Sequence, residues 1–164
     1  MKYKIATLGS HSALQIFKGA HDEGFKTIAI CKKGSERPYK MFNAADEIIS
    51  INSYKDFPKI QNQLIKKNAI VIPHGSFVTY MGYEEVEKLK VMYYGNKRIL
   101  KWESDRHLER QWLKNSGFKV PLLFRSPKDI DRLVIVKFMG AEGGKGYFLA
   151  KNEKDFNRKI KPYK

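Results

Sequence analysis

Two short polar segments combine glycine, serine and histidine residues that could bind a phosphate or a sugar. They span residues 9–12 and 73–76, and each directly follows a short apolar run. Glycine lets the backbone approach an anion closely, while hydroxyl and imidazole groups add hydrogen-bond donors. An ordinary helix cap also explains the first segment, and a plain polar turn also explains His74. The candidate substrate-binding residues are Ser10, His11, His74, Gly75 and Ser76.

A third segment, residues 133–147, joins an apolar run to a loop that contains four glycines. Alternation along a strand places Lys137 on the same face as Leu133 and Ile135, where an ammonium group is costly unless an anion meets it. The N–H groups of the loop can wrap phosphate oxygens, and a glycine-rich hairpin with an edge lysine is the alternative. The candidate nucleotide-binding residues are Lys137, Gly140, Gly143, Gly144, Lys145, Gly146 and Tyr147.

Short apolar strands alternate with amphipathic helices in the first part of the chain, and these elements must position the two polar segments. The predicted strands span residues 4–8, 26–31, 48–51, 69–73 and 91–94, with helices after residue 12 and over residues 57–67. This alternation predicts an α/β fold with a doubly wound parallel sheet. In the commonest strand order the first and fourth strands are neighbours, so both polar segments are expected to face one crevice.

A second part of the chain is predicted to begin near residue 97, which divides the sequence into residues 1–96 and 97–164. Ser104 or Asp105 can cap a helix that turns Leu108, Trp112 and Leu113 inward and ends at Gly117. Strands over residues 133–138 and 147–150 then enclose the glycine-rich loop, and a helix follows from residue 155.

Four aromatic side chains near the middle of the chain could stack on nucleobases. They are Tyr93, Tyr94, Trp102 and Trp112. Each lies in an apolar pattern, which favours packing in the core. We assign them no chemistry.

Composition and charge narrow the class of protein. Hydrophobic residues make up 42% of the chain, enough for a core beside the 30% of charged residues. The net charge of +15 is dispersed, with no arginine-rich arm or zinc-finger spacing, so we predict no nucleic-acid partner. Cys31, the one cysteine, lies in an apolar run and is predicted to be core, and the four histidines lack metal-binding spacing. Without a signal segment or a membrane-spanning run, the chain is predicted to be cytoplasmic.

The order of these features resembles the ATP-grasp superfamily. The resemblance rests on the doubly wound domain, on residues 104–106 at a helix start, on residues 117–121 and on the strand that carries Lys137 before a glycine-rich loop. It narrows to the N-terminal portion of the archaeal formate-dependent 5-formaminoimidazole-4-carboxamide ribonucleotide (FAICAR) synthetases and covers nearly the whole chain. The segments that narrow it are residues 6–12, 71–77, 95–104 and 140–148.

The resemblance implies a pre-ATP-grasp, ribonucleotide-binding domain at residues 1–96 and an incomplete ATP-grasp domain at residues 97–164. It implies a ligase that forms a C–N bond in purine (IMP) biosynthesis, in which ATP phosphorylates formate and the amine of aminoimidazole carboxamide ribonucleotide (AICAR) attacks the formyl phosphate. His11 and Ser76 would then hold AICAR, and Lys137 with residues 140–147 would hold ATP. The implied small-molecule partners are AICAR, formate and ATP with Mg²⁺, and a homo-oligomer is compatible with the family.

One departure from the family pattern leaves two interpretations open. ATP-grasp proteins take their magnesium ligands from a second subdomain, which lies beyond residue 164, and Glu142 and Asp155 are poor substitutes. We therefore expect no metal ligands within this chain. The sequence is either a fragment of a longer ligase or a short homologue, which would be a noncatalytic nucleotide-binding module without the magnesium carboxylates.

Overall fold

A computed structural model describes residues 3–138 and 146–163 of the chain. It divides into two compact units, one ending at Phe118 and the other beginning at Lys119. The predicted boundary between residues 96 and 97 stays a prediction, because a compact unit and a domain are different divisions of a chain. Among the described helices, none has the length and hydropathy needed to cross a membrane.

The first unit contains all five predicted strands. They are β1 (Lys4–Leu8), β2 (Lys26–Lys32), β3 (Glu47–Ile51), β4 (Ala69–Val71) and β5 (Met92–Tyr93). The helices of this unit are α1 (Ala13–Asp22), α2 (Arg37–Met41), α3 (Phe57–Lys66), α4 (Ser76–Met81), α5 (Tyr83–Glu87), α6 (Ile99–Ser104) and α7 (Arg106–Asn115). The sequence analysis did not predict α2, α4 or α5.

The five strands form one parallel sheet in the order β3-β2-β1-β4-β5. This order confirms the doubly wound α/β fold, because the chain starts at the centre and winds toward both edges. β1 pairs with β2 on one side, with Leu8 opposite Ile30, and with β4 on the other, with Ala6 opposite Val71. The predicted neighbourhood of the first and fourth strands is therefore present.

Helices cover the sheet on both faces, and the alternation of side chains along β2 separates two clusters of buried residues. Ile28 and Ile30 pack on one face with side chains of α3 and α4, among them Phe57 and Phe77. The opposite face buries Ala13, Phe17, Ala29, Cys31, Tyr39 and Ala45. Strands buried on both faces read as continuous apolar runs, which is why β2 was visible in the sequence. The prediction that Cys31 belongs to the core is confirmed, since it is fully buried.

The helical connection after β5 departs from the sequence-based expectation. Asp105 caps α7 as predicted, since its carboxylate accepts hydrogen bonds from the backbone N–H groups of residues 107 and 108. No side chain of α7 is buried, however, and Trp112 is 42% exposed. Trp102 of α6 and Tyr94 are exposed as well, whereas Tyr93 is half-buried against Phe77. The core assignment of both tryptophans and Tyr94 is therefore wrong, because an apolar stripe shows which residues share a helix face and not what covers that face.

The second unit contains an antiparallel hairpin of β6 (Val134–Lys137) and β7 (Tyr147–Ala150), followed by α8 (Glu153–Lys159). One face of the hairpin packs on α8, where the rings of Phe148 and Phe156 lie 5.7 Å apart. The other face carries Leu133 and Ile135, which are 67% and 58% exposed. The expectation that Lys137 points into a buried apolar environment is therefore wrong for the described residues. Lys137 does share a strand face with Leu133 and Ile135, as predicted, but that face is exposed and not buried.

Candidate functional site

The loops that follow β1 and β4 meet at the carboxyl edge of the parallel sheet. Nδ1 of His11 lies 2.5 Å from Oγ of Ser76 and 2.9 Å from Oγ of Ser10. The two serine oxygens are themselves 3.2 Å apart. We call these three residues the serine–histidine cluster. Ser10 and His11 are neighbours in the sequence, whereas Ser76 lies 65 or more residues further along, and the sheet brings the two loops together as the two-loop prediction requires.

Backbone and side-chain bonds between β1 and β4 fix the cluster in place. The N–H of Ile72 donates to the carbonyl oxygen of Ala6 at 2.9 Å, which extends the ladder past the end of β4. The hydroxyl of the fully buried Thr7 donates to the carbonyl oxygen of Ile72 at 2.7 Å. Because a buried hydroxyl stays bonded to avoid a desolvation cost, this contact holds the two loops in register.

His11 presents its second ring nitrogen away from the cluster. Its backbone has a φ of 38°, a left-handed conformation that is uncommon for a residue with a side chain. Nδ1 faces the two serines, while Nε2 has no hydrogen-bond partner among the described residues, and the side chain is exposed. If Nδ1 carries the proton, Nε2 can accept a hydrogen bond, and in the other tautomer Nε2 donates one. The cluster can therefore offer a ligand either a donor or an acceptor.

His74 lies behind the cluster, and backbone groups use both of its ring nitrogens. Nε2 lies 3.0 Å from the carbonyl oxygen of Leu8 and must donate, because a carbonyl oxygen only accepts. Nδ1 is then free to accept the N–H of Ser76 at 3.4 Å. Burial lowers the pKa of His74, and the nearby His11 lowers it further, although the bond to Leu8 opposes the shift. His74 is thus a neutral link between the two loops, and the substrate contact predicted for it stays a prediction.

The two polar segments each contain a glycine, Gly9 and Gly75, and only one of these positions requires glycine for packing. A Cβ at Gly9 would lie 2.7 Å from Sγ of Cys31 and 2.9 Å from the ring of Tyr39, so this position requires glycine for packing. A Cβ at Gly75 would meet nothing within 4 Å. Gly75 is exposed at the start of α4, beside the almost fully buried Ser76. Close packing on the sheet therefore accounts for Gly9, whereas nothing in the protein interior requires a glycine at position 75.

A cavity of about 240 Å³ lies at the same edge of the sheet and was not predicted from the sequence. The hydroxyl of Tyr54 donates to the carbonyl oxygen of Gly9 at 2.6 Å, and its ring stacks on Tyr80 with the centroids 4.8 Å apart. The residues that line the cavity are Lys32, Ser53, Tyr54, Lys55 and Tyr80. The rule that ligands bind at the carboxyl ends of parallel strands could have found it, because Lys32 ends β2 and Ser53 follows β3.

A larger cavity of about 520 Å³ runs along α8 in the second unit and contains none of the predicted site residues. Its buried carboxylate, Asp155, already accepts hydrogen bonds from Arg158 at 2.6 Å and from Lys159 at 3.0 Å. Lys159 is the main cause that lowers the pKa of Asp155. The buried carboxylate of this cavity is thus satisfied by its own helix, and we attach no function to the cavity.

The described part of the predicted nucleotide site lies on the exposed face of the hairpin. Lys137 pairs with Tyr147 across the two strands, and Ile135 pairs with Leu149 beside them. Lys137 is exposed, and no carboxylate pairs with it among the described residues. Gly146, just before β7, has a φ of 79° that favours glycine. The other predicted residues, Gly140, Gly143, Gly144 and Lys145, lie outside the described residues.

Within residues 3–138 and 146–163, no three His, Cys, Asp or Glu side chains are grouped so that they could hold a metal ion. Acidic side chains at the sheet, such as Asp46 and Glu47, pair with lysines. Asp46, for example, accepts hydrogen bonds from Lys26, His21 and Thr27, which lower its pKa although burial opposes the shift.

Comparison with known proteins gives a family and a set of named relatives. Residues 5–124 match the family model described as "Protein of unknown function (DUF1246)". The chain is 50% identical over 158 residues to a 5-formaminoimidazole-4-carboxamide-1-(beta)-D-ribofuranosyl 5'-monophosphate synthetase of Methanopyrus kandleri, with 94% of this chain and 44% of that protein covered. It is 51% identical over 160 residues to the synthetase of the same name from Pyrococcus abyssi, with 98% and 46% covered.

Solved structures share the fold. The crystal structure of an IMP biosynthesis protein PurP from Thermococcus kodakaraensis matches with a TM-score of 0.68 and 30% identity, over 90% of this chain and 49% of that one. N5-carboxyaminoimidazole synthetase from Staphylococcus aureus, solved with ADP, matches with a TM-score of 0.76 and 23% identity, over 98% and 45%. The likeness confirms the α/β fold found at the start of ATP-grasp enzymes.

The chain spans about half the length of the proteins it matches. The resemblance to the archaeal FAICAR synthetases is confirmed by two relatives of that name, which are 50% and 51% identical to this chain. Because the family model covers more than half of the chain, the protein belongs to the DUF1246 family.

Proposed function

We propose that this chain is the AICAR- and ATP-binding part of a ligase that uses ATP and formate to convert AICAR to FAICAR in purine biosynthesis. The observation that carries the proposal is the identity of 50% over 158 residues to a curated synthetase named for this product. The serine–histidine cluster supports it with a polar site at the edge of the sheet where doubly wound folds bind ligands.

In this proposal the cluster holds AICAR through groups that the protein leaves available. Nε2 of His11 faces outward with no partner among the described residues, and it bonds a polar group of the ribonucleotide. The hydroxyls of Ser10 and Ser76 fix the imidazole orientation and supply further donors. His74 contributes indirectly, since it ties Leu8 to Ser76 and so sets the spacing of the two loops. Such preorganisation lowers the entropy cost of binding.

The hairpin face supplies the ATP site of the proposal. Lys137 places a positive charge among the apolar side chains of Ile135 and Leu149, which suits a ligand that joins a flat base to phosphates. The glycines at 140, 143, 144 and 146, with Lys145 and Tyr147, complete this site in the proposal. ATP would supply the energy that makes formate reactive, and Mg²⁺ would neutralise its phosphates, although none of the described residues is assigned as a metal ligand.

The reaction needs positioning and charge neutralisation more than a protein nucleophile. The amine of AICAR attacks the carbonyl carbon of formyl phosphate, a C–N bond forms, the C–O bond to phosphate breaks and the amine loses a proton. The role of this chain in the proposal is to bind the amine-bearing ribonucleotide at the serine–histidine cluster and ATP at the hairpin. A homo-oligomeric state and a cytoplasmic location stay predictions.

Calorimetry with AICAR tests the binding half of the proposal. We expect saturable binding that weakens about tenfold or more in His11→Ala, because a hydrogen bond inside a polar site is lost. His107→Ala is the matched control, since His107 is an exposed histidine on α7 whose ring makes no described hydrogen bond. Heats equal to buffer at millimolar AICAR would overturn the proposal.

Turnover separates the ligase from the alternative of a noncatalytic nucleotide-binding module. ADP release from ATP is measured with AICAR, formate and Mg²⁺ together, and again with each of these three omitted. Release that requires all three supports the ligase in this chain alone. AICAR binding without any release assigns the chain a binding role, with catalysis requiring more of the protein.

A further inference from the structure

The cavity beside the serine–histidine cluster is lined by two lysines and is large enough to hold a phosphate group. Lys32 ends β2 and Lys55 lies just after β3, so both residues lie at the carboxyl edge of the sheet, where they line the cavity. Ser53 also lines the cavity, whose volume is about 240 Å³. Lysine is a strong binder of phosphate as a point charge.

The two lysines have no carboxylate partner among the described residues, although carboxylates lie close along the chain. Asp56 is paired with Lys59 at 2.7 Å. Glu36 accepts hydrogen bonds from Ser50 at 2.7 Å and from the N–H of Gly34 at 2.8 Å. The nearby acids are therefore engaged elsewhere, and the positive charge of the cavity is left for a ligand. Two like charges at one site also repel each other, which an anion relieves.

Two contacts join this cavity to the serine–histidine cluster. Tyr54 of the cavity donates to the carbonyl oxygen of Gly9, next to Ser10 of the cluster. Tyr80 of the cavity lies on α4 four residues after Ser76, and residues four apart share a helix face. A ligand that contacts Ser76 at one end can thus extend along α4 toward the stacked pair of Tyr54 and Tyr80.

We propose that Lys32 and Lys55 hold the 5′-phosphate of a ribonucleotide whose other end meets His11 and Ser76. This inference rests on the proposed function, because it uses the same ligand and adds the group that each side of the site recognises. The lysine cavity then selects the phosphorylated ligand over its nucleoside. The serine–histidine cluster recognises both.

Calorimetry on the full chain with three ligands tests this assignment: AICAR, its nucleoside without phosphate, and ribose 5-phosphate. Lys32→Gln and Lys55→Gln are each expected to weaken AICAR and ribose 5-phosphate about tenfold and to leave nucleoside affinity unchanged. His11→Ala is expected to weaken AICAR and the nucleoside. Lys66→Gln removes an exposed lysine of α3 outside the cavity and serves as the charge control. Thermal unfolding midpoints verify that each variant is folded.

The outcomes separate the two proposals. AICAR binding that depends on His11 but not on either lysine overturns the phosphate site and leaves the proposed function standing. Binding of ribose 5-phosphate that depends on both lysines, without AICAR binding, supports the anion site and overturns the proposed function. Equal losses for AICAR and its nucleoside in the lysine variants, or losses matched by Lys66→Gln, overturn the phosphate assignment. If none of the three ligands binds, both proposals fail.

Discussion

The edge of the parallel sheet and the exposed face of the hairpin contrast in how they carry polar groups. At the sheet edge, His11, Ser10 and Ser76 bond one another, and His74 ties their loops together. On the hairpin, Lys137 stands among exposed apolar side chains and has no described partner. The first region is organised by its own hydrogen bonds. The second is positioned by strand pairing and by the packing of its other face on α8.

The contrast predicts different responses to truncation of a large side chain. Phe77 is fully buried, and its ring packs against those of Phe57, His74 and Tyr93. Phe77→Ala is expected to lower the free energy of unfolding by about 3–5 kcal/mol, because it leaves a cavity under the site. Ile135→Ala, on the exposed hairpin face, is expected to change it by less than about 0.5 kcal/mol. Urea unfolding of both variants measures the difference, and equal losses would refute the contrast.

The two glycines sharpen the comparison within the sheet edge itself. Gly9→Ala is expected to cost about 1–3 kcal/mol, since the new methyl group would overlap Cys31 and Tyr39. Gly75→Ala is expected to be neutral or to stabilise by about 0.5 kcal/mol, because its Cβ meets nothing and its φ of −51° suits alanine. The same urea titrations test this pair. If Gly9→Ala left the free energy of unfolding unchanged, Cys31 and Tyr39 would have to move to make room for the new methyl group, and the packing argument would be wrong.

The pH dependence of stability offers the smallest and most specific test. The folded pKa of His74 lies below its ordinary value of 6.5, so the unfolded chain takes up a proton first as pH falls. The stabilising contribution of neutral His74 is therefore full above about pH 6.5 and is lost as pH drops below it toward the folded pKa. We expect His74→Gln to flatten the loss of stability between pH 7 and 5.5. His107→Gln, at an exposed histidine of α7, is the control, and an unchanged slope in His74→Gln would contradict the neutral link.

Much of the fold followed from local patterns, and the reasons are visible in particular residues. β2 is buried on both faces, so its continuous apolar run predicted a strand. The expected order of the strands predicted that the loops of Ser10 and Ser76 would meet. Helices α4 and α5 have six and five residues, too few for an apolar period to be read. The exposure of Trp112 could not be predicted either, because an apolar helix face in the sequence does not show whether another element packs against it.

The site was only partly readable for a related reason. Types and positions of polar residues indicated the meeting of His11 with Ser76, but not that backbone groups use both nitrogens of His74. The bond from Tyr54 to Gly9 joins positions 45 residues apart and gives no local signal. Side-chain partners of this kind depend on packing in three dimensions. The cavity lined by Lys32 and Lys55 was not predicted for the same reason, because its walls come from segments that are distant in the sequence.

The packing of Cys31 under Gly9 has a practical consequence. Burial is the main cause that raises the pKa of this thiol to about 12, and Glu36 adds to the shift. Its sulfur is fully shielded in the folded protein, and the sequence has no other cysteine. A thiol-alkylating probe can therefore label the chain only when the sheet opens. The rate of labelling counts those opening events, and ligands that occupy the adjacent loop would slow it.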